Sequence, residues 1–207
     1  MRSLFLIALA TLAWTSTALA GPITLAVTVN TSTISGTAGS LDWNFNPGPT
    51  SSQAASVTVT GFTSSGTLAA NCPCATGDVS GTLPSTLTFD NGTAFNDYFE
   101  GFTFGSELSF TLHFFGPALV SPNGTVASGS TFAFSLFSDA AGTNPALTTD
   151  GLNGFALTVD VNLDGSTSIT NFSSQTSVEI VTPEPGTLMI AALGLTALGL
   201  GSSRRKV

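Results

Sequence analysis

The 207-residue sequence has almost no basic residues. Its only Lys and Arg residues are Arg2, Arg204, Arg205 and Lys206, and its single histidine is His113. Proteins that bind nucleic acid contact the phosphates through a cationic surface, and this chain carries no Lys or Arg between its two ends. The composition therefore excludes nucleic acid as a partner. It excludes binding of the central part to anionic lipid headgroups for the same reason.

The lack of cations leaves the acidic residues without oppositely charged partners. Eleven of the twelve Asp and Glu residues lie between positions 21 and 182, where there is no Lys or Arg. Each of these carboxylates must therefore be solvated, hydrogen-bonded within the chain, or bound to a metal ion.

Long apolar runs are confined to the two ends, and the first of them is typical of a secretory signal peptide. The basic start of residues 1–3 precedes an apolar stretch at 4–13 and the small residues Ala18 and Ala20. This order predicts export by the general secretory route, with cleavage after Ala20 leaving Gly21 as the first residue. Residues 1–20 are therefore assigned to the signal peptide.

The second apolar run, residues 186–201, contains no charge and is followed by Arg204, Arg205 and Lys206. A stable transmembrane helix needs about 20 apolar residues, so this predicted helix is short. Basic residues stay on the cytoplasmic side of such a segment, which places the preceding chain outside. A short span with a basic end suits a transient membrane anchor.

The residues Pro183, Glu184 and Pro185 directly precede this run. Two prolines remove backbone donors and favour extended geometry, so the segment stays accessible to a processing enzyme. Together with the apolar helix and basic end, residues 183–207 resemble the PEP-CTERM sorting signal of bacterial exported proteins. An ordinary single-span anchor with a coincidental Pro-Glu-Pro remains the alternative.

The resemblance implies a processing partner and a destination. It implies recognition by an exosortase, a membrane-embedded cysteine peptidase, in a Gram-negative-type bacterium. An inner-membrane intermediate would precede delivery to the cell surface or extracellular matrix, in a role linked to exopolysaccharide or biofilm.

Between the two signals, residues 21–182 have the size of one domain. Apolar residues alternate with Thr, Ser and Asn in several short runs, among them 23–30 and 108–115, which indicates half-buried strands. The cleanest run is 155–163, and the Asp164-Gly165 pair after it predicts a hairpin with residues 166–172. Short strands at regular spacing predict an all-β fold, a single antiparallel β-sandwich resembling a jelly roll.

One candidate metal site is the sequence Asp160-x-Asn162-x-Asp164-Gly165, which matches the first half of a calcium loop. The twelfth position, normally a bidentate Glu, is Asn171. The competing interpretation is that these side chains line the solvent face of a hairpin. Calcium is the one cofactor that the sequence suggests.

The cysteines offer little chemistry. Cys72 and Cys74 are the only two in the chain. A zinc site needs more Cys or His ligands than this segment supplies. In an exported protein the pair is interpreted as a disulfide or as two inert thiols.

Catalytic groups are equally sparse. Asp97 and Glu100, with Glu107 nearby, could be read as a glycosidase carboxylate pair, or as solvated acids beside a Phe-rich strand. His113 has no nucleophile motif beside it. We therefore expect no enzymatic activity.

The main hypothesis is an exported structural or adhesive matrix protein. A calcium-dependent carbohydrate-binding module is the alternative, and a polysaccharide hydrolase is the third. For the second hypothesis, Trp43 and Tyr98 are the aromatic residues that could stack on a sugar, although core packing is their more frequent fate.

Overall fold

The computed structural model describes residues 21–69 and 74–181, and these form two antiparallel β-sheets. The strands in chain order are β1 Ile23–Asn30, β2 Ala38–Pro47, β3 Ser56–Ser64, β4 Thr67–Leu68, β5 Ala75–Thr76, β6 Val79–Gly81, β7 Leu87–Asp90, β8 Asp97–Thr103, β9 Glu107–Phe115, β10 Ser130–Phe137, β11 Phe155–Val161, β12 Thr167–Asn171 and β13 Thr176–Ile180. The described helical segments are a 3-10 turn, Ser32–Ile34, and the short helix α1, Pro117–Val120. The predicted all-β sandwich is confirmed.

The two sheets are built from strands that are distant in sequence. One sheet has six strands in the order β13-β1-β9-β3-β7-β6. The other has seven, in the order β12-β11-β10-β2-β8-β4 with β5 also paired to β8. The predicted hairpin is present, since β11 pairs with β12 around a turn in which Gly165 has a φ of 79°. Glycine takes this left-handed conformation without the steric cost that a side chain would add.

Aromatic side chains fill the space between the sheets. Phe110 and Phe114 of β9 contact Phe134 and Phe132 of β10 edge to face, at centroid distances of 4.9 and 5.7 Å respectively. Edge-to-face contacts of this kind are favourable because the positive ring edge meets the negative ring face. The core is therefore one layer shared by both sheets.

Strand alternation sends every second side chain to the outside of the sandwich. In β1, Leu25, Val27 and Val29 are buried, and the residues between them point away from the core. The same alternation holds in β3, β9 and the middle of β2. Each sheet therefore presents one outer face whose residues can be read from the register.

The chain between β12 and the C-terminal motif belongs to the sheet. Strand β13 pairs along its length with β1. The N–H of Val181 then donates to the carbonyl of Thr24 at 2.8 Å. The folded body thus extends to the residue before position 182.

Candidate functional site

The outer face of the six-stranded sheet is a neutral array of hydroxyl groups. We call it the hydroxyl face, and its members are Thr24 and Thr28 of β1, Ser56, Thr58 and Thr60 of β3, Thr88 of β7, and Ser109, Thr111, His113 and Phe115 of β9. All are partly or fully exposed.

The register makes these residues neighbours. His113 lies directly opposite Thr24 on one side and Thr58 on the other, and Thr111 lies opposite Thr60. Paired strands lie about 4.8 Å apart, and same-face residues recur about every 6.7 Å along a strand. The hydroxyls therefore form a regular two-dimensional array.

Many of these hydroxyls are available to an external ligand. Thr24 is hydrogen-bonded to Nδ1 of His113 at 3.0 Å, and Ser109 to Thr63 at 2.8 Å. Within residues 21–69 and 74–181, the hydroxyls of Thr58 and Thr111 make no hydrogen bond. A hydroxyl both donates and accepts, so an array of them can bind the hydroxyls of a sugar.

An aromatic strip lies at one end of this face. The rings of His113 and Phe115 stack with centroids 5.5 Å apart and an interplanar angle of 18°. The carboxylates near the face are at its margins, with Asp90 opposite Ser56 and Glu179 opposite Ala26. The centre of the face is therefore uncharged.

The sequence alone did not predict this face as a site. Alternation indicates which residues of one strand share a face. It does not show that β1 and β9 are neighbours, because these strands are far apart in the sequence. The available signal was the repeated Thr at alternate positions.

The structure corrects the interpretation of the two aromatic residues proposed for sugar stacking. Trp43 is 0% and Tyr98 2% exposed. Trp43 packs against Tyr98, Phe110 and Phe134 in the core. Neither ring can reach a polysaccharide, so their role is packing.

The acidic pair read as a possible glycosidase site is separated by the sheet. Asp97 and Glu100 lie three positions apart in β8, and side chains at odd separations in a strand point to opposite faces. Asp97 is on the outer face, whereas Glu100 is 4% exposed on the core side. Glu107 begins the next strand, in the other sheet, and is exposed. These carboxylates do not form a catalytic pair.

Glu100 has instead a single buried hydroxyl partner. The Tyr98 hydroxyl donates to Oε2 of Glu100 at 2.8 Å and accepts the N–H of Leu83 at 3.1 Å. Burial raises the pKa of Glu100 above its usual value, and burial with the nearby carboxyl raises the pKa of Tyr98 to about 12. Both groups are therefore biased toward their neutral forms.

The residues of the candidate calcium loop are engaged in local hydrogen bonds. Asp160 accepts from Thr131 across the strand pair at 2.6 Å, and Asn162 donates to Ser168 at 2.9 Å. Asp164 accepts both the hydroxyl and the N–H of Ser166, and these bonds lower its pKa. No group of three or more His, Cys, Asp or Glu side chains in the described residues could hold a metal ion.

The remaining predicted sites fall near or beyond the described residues. Cys74 is buried and disulfide-bonded, and its carbonyl accepts the N–H of Phe99 at 3.0 Å. Its predicted partner Cys72 lies outside the described residues, as do Ala18 and Ala20. The same holds for the motif Pro183, Glu184, Pro185 and for the basic end Arg204, Arg205, Lys206.

The predicted membrane-spanning run at 186–201 also lies there. Among the described residues, no helix has the length and apolar character needed to cross a membrane.

Comparison with known proteins identifies the C-terminal end of the chain. Residues 181–206 match the family described as the PEP-CTERM protein-sorting motif. No curated protein and no solved structure matches the chain. The match confirms the resemblance found in the sequence: the chain is an exported, membrane-transiting protein that is sorted by an exosortase.

The matched motif begins at the last described residue of the body. The last described residue, Val181, is bonded to β1 and is also the first residue of the match. The body is therefore held to the start of the sorting motif by an edge strand.

Proposed function

We propose that this exported, exosortase-sorted protein is a non-enzymatic adhesive or structural component of the extracellular matrix, and that its hydroxyl face binds neutral exopolysaccharide. The hydroxyl face supports this proposal most directly. Sugars present many hydroxyls on a low-charge surface, and a regular array of Thr and Ser side chains complements them. The stacked pair of His113 and Phe115 adds an apolar surface for a sugar ring.

The charge of the protein favours a neutral rather than an acidic polymer. The chain has a net charge of −8, and no Lys or Arg lies between Arg2 and Arg204. An acidic polysaccharide would be repelled by the carboxylates at the margins of the face, because nothing in this part of the chain neutralises them. A neutral glucan meets no such repulsion.

The separation of Asp97 from Glu100 supports a role without catalysis. A glycoside hydrolase positions two carboxyl groups on either side of one bond. Here the two acids nearest in sequence lie on opposite sides of a sheet.

The test is binding of the purified protein to an insoluble neutral glucan such as cellulose, with soluble alginate as an acidic polymer in a parallel affinity gel. We expect retention by the glucan and none by alginate. Replacing Thr58 and Thr111 by Val preserves shape and strand propensity but removes two hydroxyls, and should weaken glucan binding about tenfold or more. Glucan binding that is unchanged in this double variant would contradict the proposal.

The matched control places the same changes on the opposite sheet. Thr103 and Thr170 are exposed residues of β8 and β12. The variant with Val at both positions adds the same apolar surface and should bind glucan as the unmodified protein does. A loss of equal size in this control would show that the first effect is not specific to the hydroxyl face.

The proposed location at the cell surface has a separate test. The intact mass of protein recovered from the surface of a Gram-negative host with an exosortase should correspond to a chain that begins at Gly21 and ends near Pro183. Additional mass would report a transferred anchor or glycan. A mass that runs through Val207 would contradict release from the membrane.

A further inference from the structure

The chain contains three Asn-Gly pairs, at residues 91–92, 123–124 and 153–154. Asparagine is a thermolabile residue, and a following glycine has no side chain to keep its backbone nitrogen away from the Asn carboxamide. Attack of that nitrogen on the carboxamide carbon needs both groups to be free of other contacts. The structure holds the three pairs in different ways, so their reactivity should differ.

The first pair is fixed by hydrogen bonds of the half-buried Asn91 side chain. Its Nδ2 donates to the Gln53 carbonyl and to Oγ of Ser130, both at 2.8 Å, and its Oδ1 accepts a backbone N–H at 3.0 Å. A Cβ added at Gly92 would collide with the Asp78 carboxylate, so the glycine backbone is confined as well. The carboxamide must break these bonds before it can react.

The second pair has a bonded glycine nitrogen. The Gly154 N–H, which carries the attacking nitrogen, donates to the Asp150 carbonyl at 3.1 Å. The Nδ2 of Asn153 donates to Oδ2 of Asp150 at 3.2 Å. A Cβ added at Gly154 would lie 2.7 Å from the Phe137 ring. Both reacting groups are therefore engaged.

The third pair lies in the loop between α1 and β10, residues 121–129, and both of its residues are exposed. Within the part of the chain that the structure describes, neither Nδ2 of Asn123 nor the N–H of Gly124 has a hydrogen-bond partner. A Cβ added at Gly124 would meet nothing within 4 Å. This is the pair whose reacting groups are both free.

A local bond also directs the Asn123 side chain toward the reaction. Its Oδ1 accepts the N–H of Thr125 at 3.0 Å. Such a bond to the residue two positions on turns the carboxamide back over the intervening peptide, which is the one that contains the Gly124 nitrogen.

We propose that Asn123 is a site of spontaneous deamidation, at which the exported protein gains a carboxylate with time. The Gly124 nitrogen bonds to Cγ of Asn123, the Cγ–Nδ2 bond breaks, and ammonia leaves with the proton that the attacking nitrogen gives up. Water then opens the resulting succinimide ring at either of two C–N bonds, which yields Asp or iso-linked Asp. No atom is oxidised or reduced, and water is the only co-reactant.

The change adds one negative charge to a chain whose net charge is already −8. The loop itself stays fastened to the body through Gln53, whose Oε1 accepts the Asn123 N–H at 3.0 Å and whose Nε2 donates to the Ser121 carbonyl at 2.8 Å. We therefore expect the modified protein to keep its fold, with the change confined to the exposed part of the loop.

The experiment incubates the purified full-length protein in mildly alkaline water enriched in heavy oxygen, below its melting temperature. Hydrolysis of the ring then labels each new carboxylate. Chymotrypsin separates the three pairs for mass spectrometry, because no Lys or Arg lies between Arg2 and Arg204 for trypsin. Asn123 should convert about tenfold or more faster than Asn91, since each hydrogen bond that Asn91 must break contributes about 1 kcal/mol.

The same incubation in urea is the control, because unfolding removes the contacts that distinguish the pairs. The three conversion rates should then converge. Folded protein in which Asn91 or Asn153 converts as fast as Asn123 would overturn the proposal. So would an Asn123 that converts in urea and not in the folded protein.

Two matched variants assign the fast reaction to one residue. Asn123→Gln lengthens the side chain, so that attack would have to close a larger ring, and it should abolish the fast conversion. Asn153→Gln makes the same change at another exposed Asn-Gly pair and should leave the fast conversion in place. A fast conversion that persists in Asn123→Gln would contradict the assignment.

Discussion

The two outer faces of the sandwich treat their polar groups in opposite ways. On the six-stranded sheet, Thr58 and Thr111 hold neutral hydroxyls in a partly exposed array. On the seven-stranded sheet, Asp42 and Asp97 contact each other, and burial raises the pKa of both carboxyl groups. The first face carries the proposed glucan-binding surface, whereas the second keeps its carboxyl groups partly away from solvent.

The largest expected effect comes from the core layer that both faces share. Phe134 is 0% exposed and contacts Phe110 and Trp43. Phe134→Ala should lower the free energy of unfolding by about 3–5 kcal/mol, because it leaves a cavity between the sheets. Urea unfolding measures this loss, and glucan binding should decline near the unfolding midpoint.

The control for this change is Phe95→Ala. Phe95 is 54% exposed, so its removal should alter stability by no more than about 0.5 kcal/mol. If Phe95→Ala lowered the free energy of unfolding as much as Phe134→Ala does, burial in the core would not explain the loss.

The second prediction concerns the loop between β10 and β11, residues 138–154, which packs on the outer face of the seven-stranded sheet. Gly142 has a φ of 69°, and an added Cβ would meet the ring of Phe99. Gly142→Ala should cost about 1–2 kcal/mol through the left-handed backbone, and more if the loop cannot shift. Urea unfolding gives this cost.

Gly151→Ala provides the comparison within the same loop. An added Cβ at Gly151 meets nothing within 4 Å, so this variant should keep the stability of the unmodified protein. Equal effects of the two substitutions would mean that the contact with Phe99 does not position the loop.

The sequence predicted some parts of this arrangement and not others, for physical reasons. Alternation identified β1, β9 and the β11–β12 hairpin, since a half-buried strand repeats every two residues. Alternation carries no information on which distant strands pair, so neither the hydroxyl face nor the contact of Asp42 with Asp97 could be found.

Strand β8 was missed because it breaks the expected pattern. Its core-facing positions are Tyr98, Glu100 and Phe102, and a carboxyl group at a core position reads as a surface residue. The short spacing of Asp97 and Glu100 in the sequence also suggested a catalytic pair, although the two side chains lie on opposite faces of the sheet. Local rules of sequence fail most often where a polar group is buried for a reason beyond folding.

The third prediction tests the contribution of an aromatic ring to binding at the hydroxyl face. Phe115→Ala removes the partly exposed ring that stacks on His113, and should weaken glucan binding about two- to tenfold. Phe172→Ala, a partly exposed ring that contacts Phe155, is the matched control and should leave binding unchanged. Affinity electrophoresis in glucan gels measures both, and equal losses would argue against a specific role for Phe115.

The smallest expected effect is on the pH dependence of stability. Glu100 lies on β8 with Asp97 but faces the core, and burial raises its pKa above 4.5. The folded state then binds the proton more tightly than the unfolded state. The free energy of unfolding is therefore highest below pH 4.5, and it falls as the pH rises through the raised pKa of Glu100 in the folded state. Glu100→Gln stays neutral and keeps an acceptor for the Tyr98 hydroxyl, so it should gain stability over the unmodified protein across this pH range and match it below.

Urea unfolding of both proteins at several pH values measures this difference. Stability curves that stay parallel across the pH range would show that Glu100 does not titrate abnormally.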